Sequence, residues 1–586
     1  MRPRHLITLL LPLALSVAGA GCDRGTTQPV TGEPADATAD TPAGQAARRI
    51  EADVRYLADD RLEGREAGTR GYDLAADYVA RRYVDIGLQP GGDDDTFFQA
   101  VPLLKATLQA EGARFEVRRG GKTIALAFGK EFLPGANYNA AESSLEAPAV
   151  FVGQAVHAPE LDHDDFAGLD LTGKIAVVFG GAPARFDDDR RAFYSSSREK
   201  LRGLVDRGAV GVVFVGTADD EARSPWARSA QNWQRPSMRL RGGDGVAIDT
   251  WPQLRAMASV SAAAADAVFA GGDTSAAMLS DAAKRGELKG FDLPGTLLLA
   301  SRTRVEPVTS RNVVARLPGS DPGLAPEHIV YTAHLDHVGI GAPVKGDRIY
   351  NGALDNALGV AIMLEAAREL QATSPRPRRS ALFVALTAEE KGLLGAEWFA
   401  RHPTVPADAM VANVNMDMPV LTAPSRDVVP IGVEHSSLKG VLDVAAREAG
   451  VTVSRDPFPE EVVFVRSDQF AFVRAGVPAV YLTGGVVSAD GERDPRLAMT
   501  YFLRNCYHQP CDDVGQPIQY GDAARMARLN AAIGRRIGDA AARPTWNAGD
   551  FFGERFASGR AATPPAAAAV RGGASAAGAE PAAPPD

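Results

Sequence analysis

The sequence contains five side chains of metal-binding type, each within a short segment of polar and small residues: His334, Asp355, Glu390, Asp417 and His508. Two imidazoles and three carboxylates suit zinc, which accepts nitrogen and oxygen ligands and keeps a position for water in catalytic sites. One catalytic zinc usually takes three protein ligands, so five are too many for one ion but sufficient for two if one carboxylate bridges them. The set therefore predicts a co-catalytic zinc pair, an arrangement able to hydrolyse peptide bonds.

Three of the ligand segments follow apolar runs that predict β-strands, at residues 327–332, 380–386 and 410–415. A stretch with apolar residues at helical spacing, 358–370, lies between the first two runs. Continuous apolar strands that alternate with helices predict the α/β class, with a central, mostly parallel sheet covered by helices on both faces. Sites in such sheets form at the carboxyl ends of the strands, so we expect the ligands to converge there.

Each motif taken alone has an ordinary structural explanation. An adjacent Glu-Glu pair is common at the start of a helix, and Asp-Asn is common in turns. Together, in this order, the motifs favour a metal site. His337 is left outside the ligand set as a neighbouring or loop residue, and the other histidines beyond the N-terminal region are expected to be surface or structural residues: His157, His163, His328, His402 and His435.

These segments, together with motifs elsewhere in the chain, resemble a known family. Residues 57–65 and 87–90 resemble the N-terminal opening of the co-catalytic zinc aminopeptidases of the bacterial leucyl and Streptomyces type. Residues 467–470 and 475–478 resemble the late loop and strand of that family. The resemblance extends from about residue 49 to about residue 538, with one insertion.

The resemblance implies a role for each site residue. His334 and Asp417 would hold one zinc, Glu390 and His508 would hold the other, and Asp355 would bridge the two ions. Glu389 would be the general base, and the carboxylate of Asp336 would orient His334. Tyr507 would polarise the substrate carbonyl.

The implied function is hydrolysis of the N-terminal peptide bond of peptide substrates. A carboxypeptidase or dipeptidase on the same fold is an alternative, because Arg466 could hold a substrate carboxylate. A single-zinc acyltransferase of the glutaminyl-cyclase type is a second alternative, which the complete five-ligand set disfavours. A non-enzymatic binding module is a third, and its expected sign would be the loss of Glu389 or of a ligand, which the sequence does not show.

The segment between the N-terminal region and the first ligand is an insertion relative to this family. It contains apolar runs at 147–152, 174–179 and 209–215 with a helix-like stretch at 198–207, which predicts strand, turn, strand, helix, strand. Residues 168–178 resemble the protease-associated domain, a small β-rich module. We expect a structural lid or spacer that narrows access to the metal site.

The two ends of the chain have compositions unlike a folded core. Arg2 and Arg4 precede an apolar run, 6–18, that ends in small residues before Cys22, which predicts an export signal with lipid attachment at Cys22. The protein is therefore expected to be a membrane-anchored lipoprotein facing the periplasm or the cell exterior. Ordinary signal cleavage near this point, without a lipid, is the alternative. The predicted segments are an export signal (1–22), a flexible tether (23–45), a first peptidase part (46–107), the inserted protease-associated domain (108–289), a second peptidase part with the metal site (290–542) and an Ala/Pro-rich, largely disordered tail (543–586).

Export also bears on the remaining cysteines. With Cys22 assigned to lipid, Cys506 and Cys511 remain, and an oxidising compartment favours a disulfide between them. Two buried free thiols are the alternative. A bridge would close a tight loop around His508 and keep its imidazole in position.

Composition excludes one broad class of partner. The chain has 586 residues and a net charge of −10, with 45% hydrophobic and 23% charged residues. The negative charge and the lack of a basic stripe argue against general nucleic-acid binding. The predicted partners are therefore peptides, with a membrane reached only through Cys22.

Overall fold

The computed structural model describes residues 41–557, so the predicted signal, most of the tether and most of the tail lie outside the described residues. No helix within residues 41–557 is both long enough and apolar enough to span a bilayer. The α-helices of this range are α1 (Pro42–Leu57), α2 (Arg70–Ile86), α3 (Asp188–Ser195), α4 (Ser197–Val205), α5 (Ala218–Arg223), α6 (Trp226–Gln231), α7 (Ala265–Phe269), α8 (Ala276–Arg285), α9 (Leu358–Ala372), α10 (Leu394–Arg401), α11 (Leu438–Glu448), α12 (Gln469–Arg474), α13 (Pro495–Asn505), α14 (Tyr520–Asp539) and α15 (Phe551–Phe556).

Most of the strands in the same range join one extended sheet. The strands are β1 (Gln89–Pro90), β2 (Phe98–Arg119), β3 (Lys122–Ala125), β4 (Phe132–Pro134), β5 (Glu142–Phe151), β6 (His157–Ala158), β7 (His163–Asp164), β8 (Ile175–Phe179), β9 (Gly211–Val215), β10 (Ser237–Leu240), β11 (Ala256–Val260), β12 (Phe291–Leu317), β13 (His328–His334), β14 (Gly339–Val344), β15 (Asp347–Tyr350), β16 (Ser380–Leu386), β17 (Met410–Asn415), β18 (Asp427–Ile431), β19 (Thr452–Val453) and β20 (Ala479–Gly484).

The strands that lead to the predicted ligands form the centre of this sheet. Strand β13 lies between β16 and β17 and is parallel to both, and β17 is parallel to β20. Strand β12 is antiparallel to β16, and β18 is antiparallel to β20. The three ligand-bearing strands are buried along their whole length, as parallel strands covered on both faces must be. The predicted α/β class with a mostly parallel sheet is confirmed.

Helices cover both faces because successive side chains of a strand point to opposite sides. Tyr331 of β13 faces a core shared with α1, α2, α9 and α14, whereas its neighbour Val330 faces a core shared with α10 and α12. Helix α9, predicted at 358–370, is buried on nearly all sides because it lies beneath α1 and α14. The sheet is therefore held from both sides, and its carboxyl edge has a fixed position.

The first helix begins inside the segment predicted as a tether. Thr41 accepts a hydrogen bond from the backbone N–H of Gly44 at 3.1 Å, and Pro42 occupies the first helical position, where proline is favoured. Ile50, Val54 and Leu57 then pack into the core. The N-cap and this apolar face together fix the start of α1 at residue 42.

Two long strands connect the inserted segment to the rest of the sheet. Strands β2 and β12 pair in antiparallel fashion from Phe98 with Val313 to Arg118 with Thr296. The first half of β12 pairs with β5, and its last residues pair with β16. The predicted domain boundary at 108 falls inside β2, and the boundary at 289 falls just before β12, so the insertion continues the peptidase sheet.

The inserted segment builds its own parallel layer on that extension. Strands β5, β8, β9 and β11 are parallel neighbours, and β4 closes the edge in antiparallel fashion. The predicted order of strand, turn, strand, helix and strand is confirmed by β5, β8, α4 and β9. The assignment to the protease-associated domain stays a prediction.

The last described helix packs against the body of the molecule. Phe552 of α15 is fully buried, and its ring lies 5.0 Å from that of Phe464 and 5.9 Å from that of Phe470. Helix α15 lies in the first part of the predicted tail, 543–586, where the sequence offers aromatic residues able to pack onto the body. These aromatic side chains supply the apolar area that fixes the helix in place.

Candidate metal centre

The sheet topology brings the predicted ligands to one edge. His334 is the last residue of β13, Glu389 and Glu390 follow β16, and Asp417 follows β17. Asp355 lies in the turn before α9. Because β13, β16 and β17 are parallel, their carboxyl ends meet, and the turn before α9 enters the same space.

The five ligand side chains form two groups that share one carboxylate. The His334 Nε2 atom lies 3.0 Å from Asp417 Oδ1 and 3.3 Å from Asp355 Oδ1. The His508 Nε2 atom lies 3.0 Å from Glu390 Oε2 and 3.1 Å from Asp355 Oδ2. Asp355 therefore presents one oxygen to each group, which is the arrangement a bridging carboxylate needs.

His337, left outside the predicted ligand set as a neighbouring or loop residue, joins the second group. Its Nδ1 atom lies 2.7 Å from Glu390 Oε1 and 3.8 Å from Asp355 Oδ2, and the side chain is fully buried. The two atoms at 2.7 Å are not aligned as a hydrogen bond. His337 is thus a further candidate ligand, and the signal available for it was its position at the end of the His-Leu-Asp-His segment that begins with His334.

The carboxylate of Asp336 makes a different contact from the one expected. The Nδ1 atom of His334 lies 3.1 Å from the main-chain carbonyl oxygen of Asp336, so that carbonyl orients the imidazole. The Asp336 carboxylate instead accepts hydrogen bonds from the backbone N–H groups of Glu389 at 3.0 Å and Glu390 at 3.3 Å. The reason is that the chain turns directly after β13, which points the carboxylate at the end of β16.

Two further polar residues hold the turn that carries Asp355. The carboxylate of Asp512 accepts hydrogen bonds from the backbone N–H of Leu354 at 2.8 Å and of Asp355 at 3.0 Å. The side chain of Asn356 donates to the carbonyl of Met416 at 3.0 Å and accepts from the N–H of Met418 at 3.0 Å. The bridging position is thereby tied to both the His508 loop and the Asp417 segment.

Glu389 and Tyr507, the predicted catalytic residues, flank the ligand groups. The Oε2 atom of Glu389 lies 4.0 Å from His334 Nε2. Burial raises the pKa of the Glu389 carboxyl well above its usual value, and the neighbouring carboxylates of Asp417 and Glu390 raise it further. The Tyr507 ring is half-buried and stacks on the His508 imidazole, with ring centroids 3.9 Å apart.

The loop that carries His508 is closed by the predicted disulfide. Cys506 and Cys511 are bonded, with Cα atoms 5.2 Å apart. His508 lies between them with a positive φ of 54°. The bridge confines the loop backbone on both sides of the ligand.

Negative charge dominates the centre. Burial raises the pKa of Asp336 to about 7 and that of Asp512 to about 7, and it raises the pKa of Asp468 well above its usual value. Neither carboxylate oxygen of Asp468 has a hydrogen-bond partner within the part of the chain that the structure describes. Burial lowers the pKa of His508, but Glu390 and Asp355 raise it by more, to about 10. Such a group of buried carboxylates requires cations.

The donor set fits zinc. Imidazole nitrogens and carboxylate oxygens are ligands that zinc accepts, and two groups of three donors leave positions for water and substrate. Arg65 is also buried nearby. Its guanidinium donates to the carbonyls of Leu335, Asn351 and Gly352. These hydrogen bonds hold the loops together, so the arginine does not replace a metal ion as the partner of the ligand carboxylates.

Known proteins resemble this part of the chain. Residues 312–534 match the profile of Peptidase family M28, and this segment carries every ligand named above. Leupeptin-inactivating enzyme 1 of Streptomyces exfoliatus is 24% identical over 246 residues, which are 41% of this chain and 49% of that enzyme. A probable zinc metalloprotease of Leptosphaeria maculans is 35% identical over an alignment of 287 residues that covers 41% of this chain and 62% of that protein. The chain thus spans less than two thirds of each of these relatives.

A solved structure shares the fold. The aminopeptidase from Aneurinibacillus sp. strain AM-1 superimposes with a TM-score of 0.50 at 20% identity, covering 84% of this chain and 94% of that chain. This likeness supports the sheet and helix arrangement described above.

Proposed function

We propose that this chain, whose residues 312–534 match Peptidase family M28, is a zinc-dependent aminopeptidase. The observation that carries the proposal is the pair of ligand groups joined by Asp355, with the Glu389 carboxyl beside them. The expected reaction is hydrolysis of the first peptide bond of a peptide with a free amino terminus.

The ligand groups assign the metal-binding residues. His334, Asp417 and one oxygen of Asp355 would hold the first zinc, while His508, Glu390 and the other oxygen of Asp355 would hold the second, with His337 beside it. When bound, such a zinc pair supplies Lewis acidity and makes water a stronger nucleophile.

Glu389 is suited to move the proton. Its carboxyl is almost fully buried, and its raised pKa makes it a better proton acceptor than an exposed glutamate. It would accept a proton from the attacking water and deliver it to the leaving amine. The two backbone hydrogen bonds to Asp336 fix the segment that presents it.

Tyr507 and the carboxylates would position the substrate. The hydroxyl of Tyr507 would donate to the carbonyl oxygen as negative charge develops there, and stacking on His508 holds the ring at the site. The substrate's amino group would be attracted to the carboxylate-rich centre. This attraction favours free amino termini over acylated ones.

A carboxypeptidase or dipeptidase is the second candidate. Arg466 is exposed, and its charge acts on Tyr507, so it lies near the site. Its guanidinium donates to the carbonyl of Glu461 at 3.1 Å, which leaves other N–H groups able to bind a substrate carboxylate.

A substrate panel separates the two candidates. Purified protein would be given a ten-residue peptide with a free amino terminus, its N-acetylated form and its C-terminally amidated form. The aminopeptidase proposal expects release of the first residue from the free and amidated peptides and none from the acetylated peptide. Release of the last residue, with loss of cleavage on amidation, would establish a carboxypeptidase instead.

We also propose that the protein acts outside the cytoplasm. The disulfide between Cys506 and Cys511 supports export, because such bonds persist in oxidising compartments. The expected lipid site, Cys22, lies outside the described residues. Loss of membrane association on Cys22→Ala is the expected result, measured by fractionation.

A further inference from the structure

A second group of metal-binding side chains lies where the insertion meets the peptidase sheet. His435 ends the short helical turn after β18 and is 2% exposed. Asp189 lies in the first turn of α3, which belongs to the insertion, and Glu434 precedes the histidine. Single donor atoms of Asp189, Glu434 and His435 lie close enough together to hold one ion.

The imidazole is prepared for a ligand on one side. The Nδ1 atom of His435 lies 2.7 Å from Asp550 Oδ2, so Nδ1–H donates to that carboxylate. The buried Nε2 atom has no hydrogen-bond partner within the described residues. A carboxylate behind a histidine is the usual support of a metal-binding imidazole, because it fixes the ring and leaves the other nitrogen free to coordinate.

The distances fit a metal ion better than a direct ion pair. The Nε2 atom of His435 lies 3.6 Å from Asp189 Oδ1 and 4.0 Å from Glu434 Oε1. Both distances exceed a hydrogen bond, for which about 3.2 Å is the upper range. Tetrahedral zinc with bonds of about 2.0–2.2 Å places its ligand atoms roughly 3.3 Å apart. Small rotations of the two exposed carboxylates would bring them to that spacing.

The charges around His435 also favour a bound cation. Within residues 41–557, no lysine or arginine forms an ion pair with Asp189, Glu434 or Asp550. Burial raises the pKa of Asp189, and the neighbouring carboxylates of Glu434 and Asp550 raise it further, against the opposing effect of His435. The rings of Phe464 and Phe552 lie 4.7 Å and 5.0 Å from the imidazole and pack against it, which leaves the side of Asp189 and Glu434 open. Three carboxylates carry more negative charge than one imidazole can balance, so a divalent ion would be stabilised here.

We propose that Asp189, Glu434 and His435 bind a third divalent ion of the zinc class, with water completing its coordination. The ion would have a structural role. It would link helix α3 of the insertion to the turn after β18 and, through Asp550, to the segment before α15. Solvent reaches it from the side of Asp189, whose side chain is 38% exposed, and of Glu434, whose side chain is 60% exposed. The proposal does not depend on the reaction at the first centre.

Metal content tests the site. Full-length wild type, Asp189→Asn and Asp188→Asn would be loaded with zinc, desalted and analysed by mass spectrometry of metals. Asp188 is the matched control because it neighbours Asp189 but pairs with Arg191 at 2.6 Å. One zinc fewer per chain in Asp189→Asn, and wild-type content in Asp188→Asn, is the expected result. Equal zinc content in all three proteins would overturn the proposal.

Thermal unfolding supplies a second measurement and separates this site from the catalytic one. Added zinc should raise the Tm of wild type and of Asp188→Asn more than that of Asp189→Asn or His435→Gln. A His334→Ala variant loses a ligand of the catalytic centre but keeps the second group. Added zinc should therefore still raise its Tm, and adding Asp189→Asn to this variant should reduce that rise. If Asp189→Asn lowers the Tm equally with zinc and with chelator, the contact is a plain ion pair and the metal site is refuted.

Discussion

At the scale of single residues, Asp355 is the position on which the arrangement of the centre depends. Its two oxygens face different imidazoles, at 3.3 Å and 3.1 Å, and its backbone N–H is held by Asp512. A side chain with a single oxygen could not present one oxygen to the His334 group and another to the His508 group. Each neighbouring ligand is therefore placed relative to Asp355, and the catalytic residues are placed relative to the ligands.

Glu389→Gln should leave metal content unchanged and lower kcat by about 10²–10⁴-fold, the usual loss when a general base is removed. The amide keeps the shape of the side chain but cannot accept the proton. Stopped or continuous assays of an aminoacyl anilide, with zinc analysis of the same samples, provide the measurement.

The control for that variant is Glu461→Gln, which removes one negative charge near the rim of the site, where Glu461 pairs with Arg466 at 3.5 Å. It should retain nearly the full rate. Turnover of Glu389→Gln close to that of wild type would remove Glu389 from the mechanism.

Tyr507→Phe should lower kcat by roughly 10²-fold and change KM little, because an oxyanion donor acts on charge that develops in the transition state. Phenylalanine keeps the stacking on His508, so zinc content should stay the same. Steady-state kinetics measure the split between kcat and KM. A rise in KM alone would indicate that the hydroxyl binds the ground state and the transition state equally well.

At the scale of elements, the sequence revealed where the ligands lie but not how they are supported. Apolar runs ending in polar residues predicted β13, β16 and β17, and parallel topology then required His334 and Asp417 to converge. Nothing local indicated that the carbonyl of Asp336, rather than its carboxylate, would orient His334, because that depends on how the chain turns after the strand. Asp512 and His337 were missed for the same reason, since their partners lie far away in sequence.

The loop between Cys506 and Cys511 is an element whose order should affect metal retention. Cys506→Ala/Cys511→Ala should lower the free energy of unfolding by only roughly 2 kcal/mol, because the closed loop is short. The larger expected effect is about 10-fold weaker binding of the zinc that His508 holds, since residues that position a ligand have effects of this size.

Zinc transfer to a coloured chelator, measured in an Asp189→Asn background, reports zinc release from the two-zinc centre without signal from the third site, and the faster-released ion is expected to be the one that His508 holds. Wild type treated with a reductant should behave like the double variant. Equal zinc release with and without the bridge would show that packing alone holds His508.

Helix α4 of the insertion contains a buried lysine with a predictable pH effect. Lys200 is 1% exposed and donates to the carbonyls of Gln154 and Gly181, and burial lowers its pKa to about 7. Between that value and the ordinary one of about 10.5, the unfolded chain binds a proton that the folded chain has released. The free energy of unfolding should therefore rise with pH, by about 2 kcal/mol between pH 7 and pH 9.

Chemical denaturation of wild type and Lys200→Met at pH 7, 8 and 9 measures this contribution as a difference, so effects from other groups cancel. Lys174→Met serves as the control, because Lys174 pairs with Asp292 at 2.7 Å at the surface of the same region. The free energy of unfolding of Lys174→Met should change with pH by the same amount as that of wild type. A Lys200→Met curve that also runs parallel to wild type would contradict the prediction.

At the scale of the whole molecule, the insertion and the peptidase part form one continuous sheet. The sequence could not show this, because Phe98 pairs with Val313 and Arg118 with Thr296 across about 180–215 residues, and no local pattern sets such a register. The apolar runs of the insertion predicted strands but gave no information on what they would pair with. The insertion is therefore held rigidly to the sheet that carries the metal centre.

The insertion also contacts two segments that adjoin metal-ligand residues. At the first, the Lys391 ammonium, next to ligand Glu390, donates to Glu66 at 2.7 Å and to the carbonyl of Pro236 in the insertion at 3.2 Å. At the second, Arg228 of α6 donates to the carbonyl of Arg504, just before the disulfide loop. We expect the segment anchored at both points to lie across the approach to the metal centre and to limit the length of substrate that can enter.

Arg228→Ala should therefore relax this limit, because it frees one anchor while leaving every ligand and catalytic residue in place. The ratio of kcat/KM for a ten-residue peptide to that for a dipeptide with the same first residue should rise several-fold relative to wild type. Arg223→Ala is the matched control, since Arg223 pairs with Asp220 of its own helix, at 2.7 Å on the surface. If both variants keep the wild-type ratio while dipeptide turnover is unchanged, the insertion does not gate substrate length, and its contacts with Lys391 and Arg504 serve stability alone.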